Sequence, residues 1–304
     1  MIENILLHDL KSLTAGVPRT FSISDSKIIF NFISKNSDSL IIRFQGALDQ
    51  MKTPYPFFGY GLSNDLDANI ITIADPSLRL SPNLKSCWYI GDFEVNTQAE
   101  LPIIINDIIN LLGIKKIIFV GASSGGFAAL YFSYFFPNSL AIVINPQTVV
   151  GNIDLNSSKN QYYSTCFPGL NHSEIHAGRI TNLSDIYKTT INNYVVYIQN
   201  STAFGDLFQH VFPFMHGIEK NILLNRILLK IDNWGLHGHR GSVPANVHLE
   251  WLKLALEAHS FEAEILARTF YRQFEDVKNF ILPSSSAANS IESMIFNDYI
   301  SEKD

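Results

Sequence analysis

Apolar and polar positions along the chain follow two rhythms. Short runs dominated by Ile, Val, Leu and Phe, bounded by polar or turn residues, fall at 27–33, 39–45, 69–75, 117–120, 139–145, 193–199 and 225–231. Runs of that length, rich in β-branched residues, predict strands. Between them the spacing changes to three and four. Ile104, Ile105, Ile108, Ile109 and Leu112 mark a helix over 99–113 that stops at Gly113. Further helical patterns run over 127–136, 247–258 and 261–280. Residues 1–26 keep neither rhythm for long and read as an irregular lead-in with one short helix.

From residue 69 onward, strands alternate with helices or long connections, and most strand runs are apolar at nearly every position. A strand that is apolar on both sides is covered on both sides. The pattern therefore predicts an α/β fold, a mostly parallel central sheet with helices on both faces. It sets one domain over 1–282, a polar tail over 283–304, and an insert over 146–192, rich in Asn, Ser and Tyr, as a cap or lid between late strands.

Charge narrows the partners. Over 304 residues the net charge is −6, only 16% of residues are charged, and no run of Lys or Arg occurs. Nothing here suits nucleic acid or an anionic membrane. The N-terminus carries an early acid and too short an apolar stretch for a signal peptide, and no apolar run approaches a membrane span. A cytoplasmic location follows as the expectation. Cys87 and Cys166 are the only cysteines, too few and too far apart for a disulfide framework or a metal cluster. No metal is expected.

The chemistry centres on Gly121-Ala122-Ser123-Ser124-Gly125, which joins the apolar strand 117–120 to the helix 127–136. A strand, a sharp turn and a helix are the context in which G-x-S-x-G presents a serine nucleophile. Ser124 is the rival, but its own frame lacks the leading glycine. A serine hydroxyl needs a base, and the base needs an acid to fix its tautomer. With such an elbow the acid and then the histidine follow in the chain. The last core strand leads into a glycine-studded loop holding two of the nine histidines, His237 and His239. His239, between Gly238 and Gly241, is the preferred base and His237 the rival. His210, His216 and His248 lie on patterned apolar segments and read as surface or core-edge residues. For the acid, Asp206 sits a short loop beyond the strand 193–199. Asp232 shares the histidine loop and would have to bend back awkwardly, while Asp75 precedes the serine.

An acyl-transfer intermediate also needs N–H donors for its oxyanion. The backbone of Ser124 supplies one, and the loop after an early strand, Phe44-Gln45-Gly46-Ala47, supplies Ala47 or its neighbour Gly46. Tyr55, Phe57 and Trp88, with Phe58, Tyr60 and Tyr89, are aromatics that could stack on sugar faces or form the core of a lid.

These residues resemble the α/β-hydrolase superfamily over about residues 25–260. A narrower likeness lies in Ile144-Asn145-Pro146-Gln147, Gly205-Asp206 and Gly238-His239, which are similar to bacterial hydrolase-fold proteins of surface-polysaccharide gene clusters, capsule O-acetyltransferases among them. The resemblance implies Ser123, Asp206 and His239 in the triad roles and an acyl-serine intermediate. It implies an ester or glycan substrate, with no cofactor beyond acetyl-CoA as donor if the reaction is a transfer. The second histidine in the base loop and the longer C-terminal extension depart from the simplest family pattern and leave a homo-oligomer open. The expected activity is either ester hydrolysis, such as deacetylation, or polysaccharide O-acetylation. The alternative is a non-catalytic hydrolase-fold accessory for assembly or export of a surface glycan.

Overall fold

The computed structural model describes residues 2–13, 15–23, 26–47, 65–150, 160–188, 190–235, 238–240 and 245–272. Its centre is a nine-stranded sheet in the order β1-β2-β3-β5-β4-β6-β7-β8-β9. The strands are β1 (Glu3–Ile5), β2 (Arg19–Ile23), β3 (Ile29–Ile33), β4 (Ser39–Phe44), β5 (Asn69–Ile73), β6 (Lys116–Ala122), β7 (Leu140–Ile144), β8 (Tyr194–Asn200) and β9 (Ile227–Asp232). From β5 to β9 across the sheet every pair is parallel, while β3 runs antiparallel to both β2 and β5.

Each central strand divides its side chains between two cores because successive residues point to opposite faces. On one face, Phe119, Ala141, Val143, Val195 and Tyr197 pack with α1 (Thr97–Leu112) and α2 (Ser124–Ser133). On the other, Ile118, Val120, Ile142, Ile144, Val196 and Ile198 meet Trp251, Leu252, Leu254 and Phe270 of α9 (Ala245–Glu257) and α10 (Ala263–Arg272). Burying one such Phe, Leu or Ile side chain is worth about 1.5–3 kcal/mol, which is why these strands are apolar throughout. Lys116 fastens the second face: its Nζ donates to the carbonyls of Leu256 (2.5 Å) and Ala258 (2.9 Å) at the end of α9.

Helix α1 starts where Asn96 Oδ1 accepts the N–H of Ala99 and ends at Gly113, whose φ of 67° is the left-handed conformation of a helix stop. The connection from β7 to β8 carries α3 (Asn160–Cys166), α4 (His172–Gly178) and α5 (Ser184–Tyr187). That from β8 to β9 carries α6 (Phe204–Asp206), a π-helical turn over Leu207–Val211, α7 (Phe212–His216) and α8 (Lys220–Arg226).

The lead-in reading of residues 1–26 needs correction, since it contains β1 and β2. Within β2 only Phe21, Ser22 and Ile23 are buried, and that burial comes from pairing with β3. So short an apolar pattern leaves no periodicity to detect. The helix expected over 261–280 is described over Ala263–Arg272, and 283–304 lies outside the described residues.

Candidate active site

A sharp turn joins β6 to α2. Ser123 has φ 55° and ψ −121°, a conformation sparsely allowed for any side chain, and it persists because its surroundings leave no alternative. Three glycines make the bend fit. A Cβ on Gly121 would lie 2.0 Å from the carbonyl oxygen of Gly125, one on Gly125 would lie 2.4 Å from that of Phe44, and one on Gly126 would lie 2.6 Å from Pro146 Cβ. Strand, turn and helix thus touch backbone to backbone. The N–H groups of Ser123 and Gln147 donate to the carbonyls of Ile144 and Ser123, both at 3.0 Å, which ties the turn to the segment after β7.

Two later strands deliver the partners of Ser123. The histidine loop follows β9, and His239 Nε2 stands 2.8 Å from Ser123 Oγ. On the far side of the ring, Nδ1 lies 2.5 Å from Oδ2 of Asp206, which sits in the turn after β8 and is 8% exposed. Both loops are held by Asn200, a fully buried residue at the end of β8. Its Oδ1 accepts the N–H groups of Thr202 (3.3 Å) and Trp234 (3.2 Å), and its Nδ2 donates to the carbonyl of Gly238 (3.2 Å), next to His239. Its own N–H reaches Oδ1 of Asn145, a residue of φ 42°. In the sequence neither asparagine carries a mark of this anchoring role, although Asn145 lies in the Ile144–Gln147 run. The signal that could have found them is an Asn at the end of each of two neighbouring parallel strands, where a left-handed turn or a loop anchor is needed.

The other expected residues fall elsewhere. Asp232 is engaged by Lys230 at 2.5 Å on its own strand. Asp75 is buried under the turn after β5, its oxygens accepting the N–H groups of Tyr89 (2.9 Å) and Ser77 (3.2 Å), and burial pushes its carboxyl up to about 7. Ser124 is 1% exposed and its Oγ has no hydrogen-bond partner among the described residues. His237 lies outside the described residues, as do Tyr55, Phe57, Phe58 and Tyr60.

His210 departs from its expected place at the surface or core edge. It is 2% exposed, Nδ1 accepts the N–H of Thr148 (3.3 Å), and its carbonyl accepts Thr148 Oγ1 (2.8 Å). Burial above all pushes its pKa down to about 4; Asp206 opposes that shift and His239 adds to it. The wider turn of the π-helix next to Asp206 carries this ring, and such turns favour functional sites. In sequence it stands beside Gln209 as a polar residue in an apolar run, which does not say whether it points in or out.

The loop after β4 comes against the elbow at Gly46, where a Cβ would lie 3.5 Å from Ser123 Cβ and 3.0 Å from the carbonyl oxygen of Ala122. Ala47 follows it and is exposed. Trp88 is 2% exposed, its ring set edge-on to Tyr162 at 5.6 Å, and its Nε1–H donates to Gln147 Oε1 at 2.7 Å. Tyr89 is core as well; its hydroxyl accepts the N–H of Gln45 (2.8 Å) and donates to the carbonyl of Ile73 (2.9 Å). No group of metal-ligating side chains occurs among the described residues. No described helix is long and apolar enough to cross a membrane.

This sheet, with a strained serine after a central parallel strand and histidine and aspartate loops after later ones, is the α/β-hydrolase fold. The chain matches no family model and no curated protein by sequence. Among solved structures it is similar to the capsule O-acetyltransferase of Neisseria meningitidis serogroup A. The TM-score is 0.58 at 18% identity, over 79% of this chain and 94% of that one. A mutant of that enzyme in complex with CoA is similar too, with TM-score 0.53 at 17% identity over 82% and 100% of the two chains. Dipeptidyl peptidase 4 of Porphyromonas gingivalis gives TM-score 0.55 at 12% identity, but this chain covers only 36% of it against 82% of itself. The glycosylation-associated Gap123 complex of Streptococcus agalactiae gives 0.50 at 16% identity over 74% and 43%. At these identities the likeness is one of fold.

Proposed function

We propose that this protein is a serine acyl-transfer enzyme working through an ester on Ser123. The observation that carries the reading is the continuous line from Ser123 Oγ through the His239 ring to Asp206. With Nδ1–H donating to the carboxylate, Nε2 keeps its lone pair for the serine proton. Ser123 Oγ attacks the acyl carbonyl as its proton passes to Nε2. The imidazolium then protonates the leaving group, and an acyl-serine remains. An acceptor hydroxyl next gives its proton to Nε2 and attacks the ester, and Ser123 recovers its proton as it leaves. In this reading the N–H of Ser124, at the start of α2 with no preceding turn to bond, and that of Ala47 or Gly46 receive the oxyanion.

Of the two fates of the acyl-serine, transfer to a sugar hydroxyl of a surface glycan, with acetyl-CoA as donor, has the support of the likeness to a capsule O-acetyltransferase over 94% of its length and of that enzyme's CoA complex. Hydrolysis by water is the competing fate. Residues 1–282 act as one catalytic domain in this account, with the insert over 146–192 as its cap.

A fluorophosphonate probe tests the nucleophile: it labels the protein, and Ser123→Ala abolishes the label. Labelling that survives that substitution rejects the reading. Acetyl-CoA with an oligosaccharide then separates the fates: acetyl retained on sugar supports transfer, and free acetate alone rejects it. The non-catalytic accessory reading draws on the likeness to the Gap123 complex. Turnover of any small acetyl ester that depends on Ser123 dismisses it.

A further inference from the structure

Gln147 is a polar side chain beside the nucleophile that the triad does not use. Its backbone is fixed next to Ser123 by the N–H bond to the serine's carbonyl at 3.0 Å. The residues around it are wedged in place. Asn145 donates its N–H to the carbonyl of Ile198, Pro146 leaves no room for a Cβ on Gly126, and the N–H of Thr148 is taken by His210. The side chain is oriented as firmly. The indole Nε1–H of Trp88 can only donate, so the atom it meets at 2.7 Å must be the amide oxygen. Trp88 cannot turn away, because it is buried against Tyr162 and held at φ 52° in a turn pinned by the bond from Tyr89 to Asp75.

With its oxygen committed, the carboxamide has its Nε2 left. That nitrogen takes no partner among the described residues, and Gln147 is part exposed at the carboxyl ends of β6 and β7, where ligands of such sheets bind.

We infer that Gln147 is a substrate-binding residue whose clamped carboxamide donates a hydrogen bond to an acceptor oxygen on the molecule reacting at Ser123. The inference rests on the acyl-serine reading and adds what the triad leaves open: a preference among substrates. The Nε2 end of the locked amide presents N–H donors, so it favours a group with a carbonyl, ether or hydroxyl oxygen at that position over one without. Two sources carry such an oxygen, the amide carbonyls of an acyl-CoA donor and the oxygens of a sugar acceptor.

Gln147→Met keeps the length of the side chain and removes both its donors and the acceptor for Trp88. Two ratios are read in the full-length protein. One is kcat/KM for acetyl-CoA over kcat/KM for p-nitrophenyl acetate, whose leaving group lacks the amide carbonyls. The other is the partition of a preformed acetyl-enzyme between an oligosaccharide and water. Loss of one neutral hydrogen bond lowers the ratio it serves about 10-fold. A fall in the first places the oxygen on the donor, and a fall in the second places it on the sugar. A structural defect alone lowers numerator and denominator together. Gln147→Glu, which still accepts from Trp88 but presents a second acceptor, lowers the same ratio further. Both ratios within twofold of wild type in Gln147→Met overturn the inference while the labelled Ser123 still stands. A wild-type protein that the fluorophosphonate does not label overturns the acyl-serine reading and this inference with it.

Discussion

Nδ1 of His239 lies 2.5 Å from Oδ2 of Asp206, although 33 residues separate them in the chain. The two loops meet because β8 and β9 are adjacent and parallel, Asn200 pairing with Asp232 at their carboxyl ends. A neutral imidazole so held has one tautomer open to it, with Nε2 as acceptor toward Ser123. Asp206→Asn removes that preference without removing the side chain. It is expected to lower kcat about 10³- to 10⁴-fold with little change in stability, as read by turnover of an acetyl ester beside a thermal melt.

Asn200 holds the His239 loop through the carbonyl of Gly238 and, in the proposed mechanism, touches no reacting atom. Asn200→Ala leaves the N–H groups of Thr202 and Trp234 and the carbonyl of Gly238 without their partner. The expected result is about 10- to 100-fold off kcat with KM nearly constant, together with a stability loss of about 1–3 kcal/mol. A KM effect of the same size as the kcat effect would argue against a positioning role.

Gly125 tests the elbow sterically. Its missing Cβ would meet the carbonyl oxygen of Phe44 at 2.4 Å, and neither backbone can yield without moving β4 or α2. Gly125→Ala is expected to cost about 1–3 kcal/mol or more in urea unfolding and to abolish labelling of Ser123. Gly46→Ala, 3.0 Å from the carbonyl oxygen of Ala122, is the milder case: the fold holds while turnover drops.

His210 makes acid stability measurable. Its pKa falls from 6.5 to about 4 on folding, chiefly because burial disfavours the charged ring. Between those values the unfolded chain binds the proton more readily than the folded one. Stability is therefore intact above about pH 6.5 and is lost as pH falls toward 4, by up to about 3 kcal/mol for this one group. In urea titrations from neutral pH to about pH 4.5, His210→Gln should show a shallower loss than wild type. Equal slopes would mean that the ring is solvated in the native state.

The sequence by itself determined the parallel core of the sheet and the turn, though not its β1–β2 edge. Ile117 to Val120, Leu140 to Ile144 and Val195 to Ile198 are apolar on both alternations, and only a strand covered on both faces needs that. Gly121 and Gly125 mark a place where strand and helix meet without side chains between them. The motif and chain order also single out Ser123, Asp206 and His239 as candidates, because each follows a strand, and strand ends are local features. Tertiary structure alone decided what those strand ends bring together. Asn200 as the anchor of the histidine loop, His210 as a buried ring beside Asp206 and the Trp88 clamp on Gln147 each depend on which strands lie side by side and which way a side chain turns. A polar residue in an apolar run looks the same in sequence whether it faces water or a partner across the sheet. Hydrogen bonds between residues 59 or 34 positions apart, as in Trp88 with Gln147 and Trp234 with Asn200, exist only once the chain has closed around them.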